Sequence, residues 1–423
     1  MEAKIISVVE TTVEELKDEL FDLTRNLVRI PSVVGQEEEA QEFMARQYSR
    51  AGLEVELFEA QKEKIESHPF FIDSGLPFAG RPNVIGRQPG DPAKRSLILN
   101  GHIDVVSPEP VDQWSHDPWG GEILEGRLYG RGSLDMKAGL AANLTALKAL
   151  ARAGLDPGGS VILQSVIEEE AGGGGGTLAC LAEGYQAEAM FCTEPGLTVC
   201  VAHAGVLYFR VRVEGRTAHA GRAHEGVNAI GKLIPIFQAL SALDDHRRLS
   251  ISYPLFQIEK TPACHLNLGR MNGGDWPSTV PGFAHLEGRI SFVPGETRSG
   301  IRDLVEKTVQ EAALPDPWLQ KRPPTIEWFG WQAEPWVQDP NHPFIHTVTD
   351  CVQVITDGKV RMDGKPAGLD TRFAGYYGIP AVSFGPVGES LHGCDEYVDL
   401  DSLVMVTKAV ALTALSWCSE QKA

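Results

Sequence analysis

Cysteine is scarce in this 423-residue chain and shows no pairing pattern. The seven cysteines (Cys180, Cys192, Cys200, Cys264, Cys351, Cys394 and Cys418) form no C-x-x-C and no dense cluster. An odd count spread over a long chain points to free thiols in a reducing compartment rather than a disulfide framework. A transmembrane run is missing, and the opening Met-Glu-Ala-Lys stretch lacks the apolar core of a signal peptide. The expectation is a cytoplasmic protein that does not bind a membrane. Positive charge is in deficit: 38 Lys and Arg stand against 57 Asp and Glu, a formal net charge of −19. Nucleic acid and anionic membrane surfaces need clustered cations, so neither is expected as a partner. Substrate charge stays open, because bound cations and a few arginines can reverse a local field. Two nucleotide motifs are absent as well. The glycine run 172–176 is not followed by Gly-Lys-Ser/Thr, and Gly130-x-Gly132 lacks the third glycine of a dinucleotide fingerprint.

A chain of this length exceeds one core, so two domains are expected. Leu16, Leu20, Leu23 and Leu27 lie at helical spacing and predict a helix over 11–29. A second helix is predicted over 37–51, a strand at 53–57 and a long surface loop over 62–82. Strands resume near 83 and 96, a helix spans 136–153, and 161–167 reads as a buried strand. The texture changes at His203. Strand 206–213, helix 228–243, strands 266–269 and 283–292 and helix 300–313 suggest a β-α-β-β-α-β, ferredoxin-like module. The Pro-rich stretch from Leu314 to Pro324 marks its exit, and helix, strand and helix follow from His342. The predicted organisation is α/β, with a mixed-sheet domain over 1–202 and 319–423 and an inserted α+β domain over 203–318. The aromatic cluster Trp328-Phe-Gly-Trp331 with Trp336 is expected in a core.

Five apolar runs each lead to a residue that can bind metal or move protons: Ser96-Leu-Ile-Leu-Asn-Gly-His102-Ile-Asp104, Leu128-Tyr-Gly-Arg-Gly-Ser-Leu-Asp135, Val161 to Glu168-Glu169-Glu170, Met190-Phe-Cys-Thr-Glu194, and Val382-Ser-Phe-Gly with His392 downstream. In open α/β sheets the carboxyl ends of strands are where ligands bind. Two imidazoles and several carboxylates arriving there suit one or two divalent cations. Each signal alone has an ordinary explanation. Asp135 reads as a helix cap, for which Asp is favoured, the three glutamates as a solvated turn, and Glu194 in Thr-Glu-Pro-Gly as a plain turn. His102 and Asp104, two apart on a strand, face the same way, as two ligands or as a ligand with its orienting carboxylate.

Together with Gly226-Val-Asn-Ala-Ile and Val280-Pro-Gly, the segments Gly101-His-Ile-Asp-Val-Val, Gly130-Arg-Gly-Ser-Leu-Asp-Met-Lys-Ala-Gly, Glu168-Glu-Glu-Ala-Gly-Gly, Thr193-Glu-Pro, Thr217-Ala-His219-Ala-Gly and His392-Gly-Cys-Asp-Glu-Tyr-Val make the chain resemble the co-catalytic metallopeptidase family. That family includes acetylornithine deacetylase, succinyl-diaminopimelate desuccinylase, aminoacylase and carboxypeptidase G. The resemblance implies a zinc-exopeptidase-like catalytic domain with an inserted lid or dimerisation domain, and a homodimer formed through the insert. It implies His102 and Glu194 on one metal, Glu170 and His392 on a second, Asp135 bridging, Glu169 as general base and Asp104 orienting His102. The register within the three glutamates follows the family's spacing from ligand to the first glycine, here Ala171-Gly172. His219 resembles a histidine that reaches a partner's active site in dimeric relatives. Arg289 and Arg372 are candidate clamps for a substrate carboxylate. Ser278 stands where many relatives carry Asn. Zn²⁺ suits the ligand set, with Mn²⁺ and Co²⁺ as alternatives. The implied function is hydrolysis of an N-acyl or peptide-like amide in a small carboxylate-bearing substrate by a metal-activated water. The alternatives are an aminohydrolase that releases ammonia from an aromatic amine at the same site, and a non-catalytic, metal-stabilised binding protein.

Overall fold

The computed structural model describes residues 2–256, 261–358 and 360–422. The chain divides into two compact units. The first comprises Met1–Val201, Gln338–Met362 and Leu369–Ala423, and the second comprises Ala202–Val337 with Asp363–Gly368.

The first unit is built on a mixed sheet. Its strands lie in the order Glu54–Glu59, Pro82–Gln88, Val161–Val166, Leu97–His102, Met190–Cys192, Ala381–Ser383 and Val199–His203. The middle four are parallel to one another, and the first two are antiparallel additions. Every residue of Leu97–His102 and Val161–Val166 is buried. This explains why each opens with three consecutive apolar residues rather than alternating, since parallel strands are covered on both faces. Helix Ala138–Arg152 packs against helix Leu400–Cys418. The latter has the length and hydropathy of a membrane span, but 72% of that window is buried inside the protein, and it serves as a core helix. The predicted 11–29 helix is two helices, Ala3–Glu15 and Lys17–Val28, which meet at the buried Leu16. Val9 and Val13 carry the apolar stripe back toward the N-terminus.

The loop that follows the first strand explains the glycine run. A Cβ at Gly174 would sit 2.5 Å from the Phe71 ring, one at Gly175 2.5 Å from Phe78, and one at Gly173 2.2 Å from Glu168 Oε2. Real side chains do not fit at such distances, so only glycine lets the loop close over the strand end.

The second unit is a four-stranded antiparallel sheet in the order Leu266–Gly273, Phe283–Phe292, Gly205–Glu214, Thr325–Ala333. Leu207, Phe209, Val211 and Val213 alternate into one core with Leu233, Ile236 and Leu240 of helix Ala229–Ser250 and Val305 and Val309 of helix Arg298–Ala313. Each such side chain contributes about 1.5–3 kcal/mol of burial. Both helices begin at side-chain caps: Asn228 accepts from the Gly231 amide and Thr297 from the Gly300 amide. The unit runs to Val337 rather than to the expected 318. The last strand of the module is the aromatic segment Thr325–Ala333, paired with Gly205–Glu214. Trp331 is buried there, and Trp328 packs against the helical core.

Candidate metal centre

Three ligand candidates and the proton-moving candidate lie at or just past the same edge of the parallel strands in the first unit. His102 ends its strand, Glu169 and Glu170 follow Val166, and Glu194 follows Cys192. Asp135 lies in the short helical turn Ser133–Lys137 ahead of helix Ala138–Arg152. Its side chain caps nothing and points instead between two imidazoles. His102 Nε2 is 3.1 Å from Asp135 Oδ1 and 3.3 Å from Glu194 Oε1. His392 Nε2 is 3.5 Å from Asp135 Oδ2 and 3.0 Å from Glu170 Oε2. Two triads result, His102–Asp135–Glu194 and Asp135–Glu170–His392, each with donor atoms within 4.8 Å of one another. They share Asp135, one oxygen toward each imidazole.

The tautomer of His102 tests whether a cation fits. Its Nδ1 lies 2.8 Å from the Asp104 backbone carbonyl, which can only accept, so Nδ1 carries the hydrogen. A neutral ring then turns the lone pair of Nε2 toward two carboxylates. Acceptor faces acceptor, and only a proton or a metal ion resolves the arrangement. The electrostatics agree. Burial by itself lowers the His102 imidazole, but Glu194, Asp135 and Asp104 outweigh it and hold it well above its ordinary value. Burial likewise opposes protonation of His392, and Asp135 and Glu170 still push it up to about 11. Asp135 is held below the usual carboxylate range by both imidazoles, against the upward push of burial. Burial, followed by the charge of Glu194, raises Glu169 well above it. The imbalance is an excess of buried negative charge around two nitrogen donors, a nitrogen–oxygen set that suits divalent cations.

The three consecutive glutamates separate by role. Glu168 has φ of +67° and turns back into the fold. Its Oε1 accepts from Arg81 Nη1 at 2.8 Å and from Ser74 Oγ at 2.7 Å, and its Oε2 accepts from the Gly175 amide at 3.0 Å. Glu170 joins the second triad. Glu169 stands outside both triads, with Oε2 3.9 Å from His102 Nε2. Asp104 differs from its expected role. Its carboxylate is 3.7 Å from His102 Nδ1, and its backbone carbonyl orients the ring instead. The carboxylate accepts the amides of Glu169 at 3.3 Å and Glu170 at 3.0 Å, so it shapes the turn that presents both glutamates.

Arg372 corrects the expectation of a substrate clamp. It is buried, donating to the carbonyls of Leu369 at 2.8 Å and Gly172 at 3.3 Å. Its neighbour Asp370 accepts from Thr177 Oγ1 at 2.7 Å. Such a guanidinium staples loops together and is not free to meet a ligand. The other three predicted residues lie in the second unit. Arg289 is half-buried in a paired strand, and its side chain has no ion pair or hydrogen bond among the described residues. His219 is exposed, and its Nδ1 accepts from the Gly221 amide at 3.0 Å. Ser278 is next to it, with its carbonyl accepting from the Ala220 amide at 2.9 Å. Sequence reasoning passed over Glu396, Arg131 and Arg81. The first two sit inside the quoted motifs, at His392-Gly-Cys-Asp-Glu396 and Gly130-Arg131, yet only the folded chain shows that they touch.

Comparison with known proteins agrees with this geometry. The profile of Peptidase family M20/M25/M40 matches residues 98–416. The N-formyl-4-amino-5-aminomethyl-2-methylpyrimidine deformylase of Bacillus subtilis (strain 168) is 28% identical over 446 residues, covering 100% of both chains. The succinyl-diaminopimelate desuccinylase of Methylorubrum extorquens (strain PA1) is 29% identical over 398 residues, covering 91% of this chain and 96% of that one. Human carnosine dipeptidase 1 shares the fold, with a TM-score of 0.78 at 16% identity over 98% of this chain and 99% of that one. The chain belongs to peptidase family M20/M25/M40 and is a divalent-metal-dependent amidohydrolase.

Proposed function

We propose that the protein removes an acyl group from nitrogen in a small, carboxylate-bearing substrate. His102, Asp135 and Glu194 would hold one cation, Asp135, Glu170 and His392 a second, and Glu169 would be the general base. One observation carries the reading: two triads share Asp135, and a further carboxylate, Glu169, stands outside both yet 3.9 Å from His102 Nε2. A purely structural site is closed by its ligands and has no use for a spare carboxylate. Both curated relatives are named for removing an acyl group, formyl or succinyl, which favours deacylation over peptide cleavage. The oxygen-rich ligand set suits Zn²⁺, with Mn²⁺ or Co²⁺ as substitutes. Seven free thiols, six of them buried, fit a cytoplasmic setting.

Bound divalent ions supply Lewis acidity and bring the pKa of water toward neutrality. Glu169 takes the proton of the attacking water and delivers it to the leaving nitrogen. Asp104 holds the Glu169–Glu170 turn through their amides. With Nδ1 of His219 accepting from Gly221, a neutral ring carries its hydrogen on Nε2, and that N–H is the proposed donor to the oxyanion. Arg289, a guanidinium without a partner among the described residues, is the proposed carboxylate anchor, with Ser278 as a further substrate contact. Homodimerisation through the second unit is supported by its open edge strand Leu266–Gly273 and by exposed Ile234, Phe237 and Met271. Sedimentation that gives only monomer would remove the dimer.

The decisive experiment screens N-formyl amines, N-succinyl and other N-acyl amino acids, dipeptides and aromatic amines against the protein loaded with zinc, manganese or cobalt in turn. Metal-dependent release of a carboxylic acid from N-acyl substrates is expected. Cleavage of dipeptides alone, or ammonia release from an unacylated amine, overturns the assignment.

A further inference from the structure

The buried pair Arg131–Glu396 belongs to neither triad and grips the backbone of segments that serve both. Glu396 lies four residues past His392 and immediately before strand Tyr397–Asp399. That strand pairs with Arg127–Tyr129, which leads into Arg131. Glu396 Oε1 accepts the amides of Leu134 at 3.0 Å and Asp135 at 3.1 Å. Its Oε2 accepts from Arg131 Nη1, and both side chains are almost completely buried. Arg131 Nη2 reaches on to the carbonyl of Gly393, the residue after His392, at 3.0 Å. The Trp114 ring lies over the guanidinium at 5.2 Å. One ion pair thus connects the backbone that carries Asp135 to the backbone that carries His392.

The His392 loop is a segment that needs holding. Ser390, His392 and Asp395 have φ of +61°, +60° and +54°, a left-handed conformation that residues with a Cβ adopt only when their surroundings enforce it. Asp395 anchors the loop further by accepting the amides of Ser115 and His116 at 2.8 and 3.1 Å. Of the first triad, Asp135 alone is held by this pair. His102 and Glu194 come from strand ends of the main sheet and make no hydrogen bond to Arg131 or Glu396 among the described residues.

We infer that Arg131 and Glu396 are positioning residues for the cation held by Asp135, Glu170 and His392. They fix the separation of Asp135 from His392, and with it the affinity of the second metal more than that of the first, which shares Asp135 but takes His102 and Glu194 from strand ends. The inference rests on the two-metal reading above. Groups that orient ligands from behind typically govern metal affinity by about 10- to 100-fold.

The test is calorimetric titration of zinc into the metal-stripped full-length protein, with bound zinc counted after dialysis. Glu396→Gln keeps a carbonyl oxygen for the Leu134 and Asp135 amides but loses the charge that holds Arg131. Arg131→Lys is the milder second variant: it keeps a cation beside Glu396 but gives up the fork that also reaches Gly393. In both, the second equivalent of zinc should bind about 10- to 100-fold more weakly, approaching His392→Ala, and the first should weaken by a clearly smaller factor because it loses only the hold on Asp135. Glu296→Gln breaks the Arg247–Glu296 pair of the second unit and should leave both affinities unchanged, which separates positioning from general destabilisation. Equal weakening of both equivalents, an unchanged second equivalent, or a wild type that takes up only one overturns the inference. A wild type that binds no zinc overturns the metal reading itself.

Discussion

Glu168 and Glu169 are neighbours in sequence, both buried, and they belong to opposite kinds of site. Glu168 shares Arg81 with Glu37, whose two oxygens accept from the same guanidinium at 2.7 and 2.8 Å. Its remaining valence goes to Ser74 and to the Gly175 amide. One guanidinium and neutral donors satisfy the oxygens of both carboxylates within the protein. Glu169 faces Glu194 and His102, where acids outnumber imidazoles and the lone pair of His102 points at carboxylates. A buried acid that the protein neutralises itself is structural, and a group of acids left unbalanced around nitrogen donors is a binding site for a cation. The same distinction separates the two arginines singled out in the sequence. Arg372 is spent on backbone carbonyls, and Arg289 has no partner among the described residues.

Four experiments sharpen or break this contrast. The largest effect is expected from metal removal. Chelation should abolish turnover, and divalent metal should restore it, so full activity in metal-free protein would mean the unbalanced cluster has another purpose. Next comes Glu169→Gln, which should lower kcat by about 10²- to 10⁴-fold while zinc content by elemental analysis stays at the wild-type level. A parallel loss of zinc would make Glu169 a ligand instead of the base. Arg81→Met acts on the cluster whose hydrogen bonds close within the protein. It leaves Glu37 and Glu168 buried without their cation and should destabilise the fold by about 3–5 kcal/mol in denaturant titration, with zinc stoichiometry of the folded fraction unchanged. The smallest effect is expected from Arg372→Lys. Losing part of a buried hydrogen-bonding fork should cost about 1–2 kcal/mol of stability without raising KM, and a large rise in KM would return Arg372 to the role of substrate clamp.

Much of the architecture was legible because burial leaves a mark on sequence. The parallel strands open on consecutive apolar residues because both of their faces are covered, and the sheet of the second unit alternated because one face is not. The strand-end positions of His102, Glu170 and Glu194 followed from where those runs stop. The final strand of the second unit was missed because Trp328, Phe329 and Trp331 surround a glycine and carry no clean alternation. Their pairing with Gly205–Glu214 even shifts register between Phe329 and Gln332. Asp104 was read from side-chain spacing as the partner of His102. Which of its groups faces the ring, carboxylate or carbonyl, depends on the backbone after the strand, where side-chain periodicity gives no guidance.

The sequence by itself determined most of the strands and helices and the residue types able to hold metal, because hydrophobic period and strand termini are local properties. Only the tertiary structure decided which buried charges cancel one another. Glu168 finds Arg81, Glu396 finds Arg131, and Asp135 finds two imidazoles through contacts spanning 87, 265, 33 and 257 positions in the chain. Charge balance in a low-dielectric interior is set by distance in space, and no local pattern encodes it.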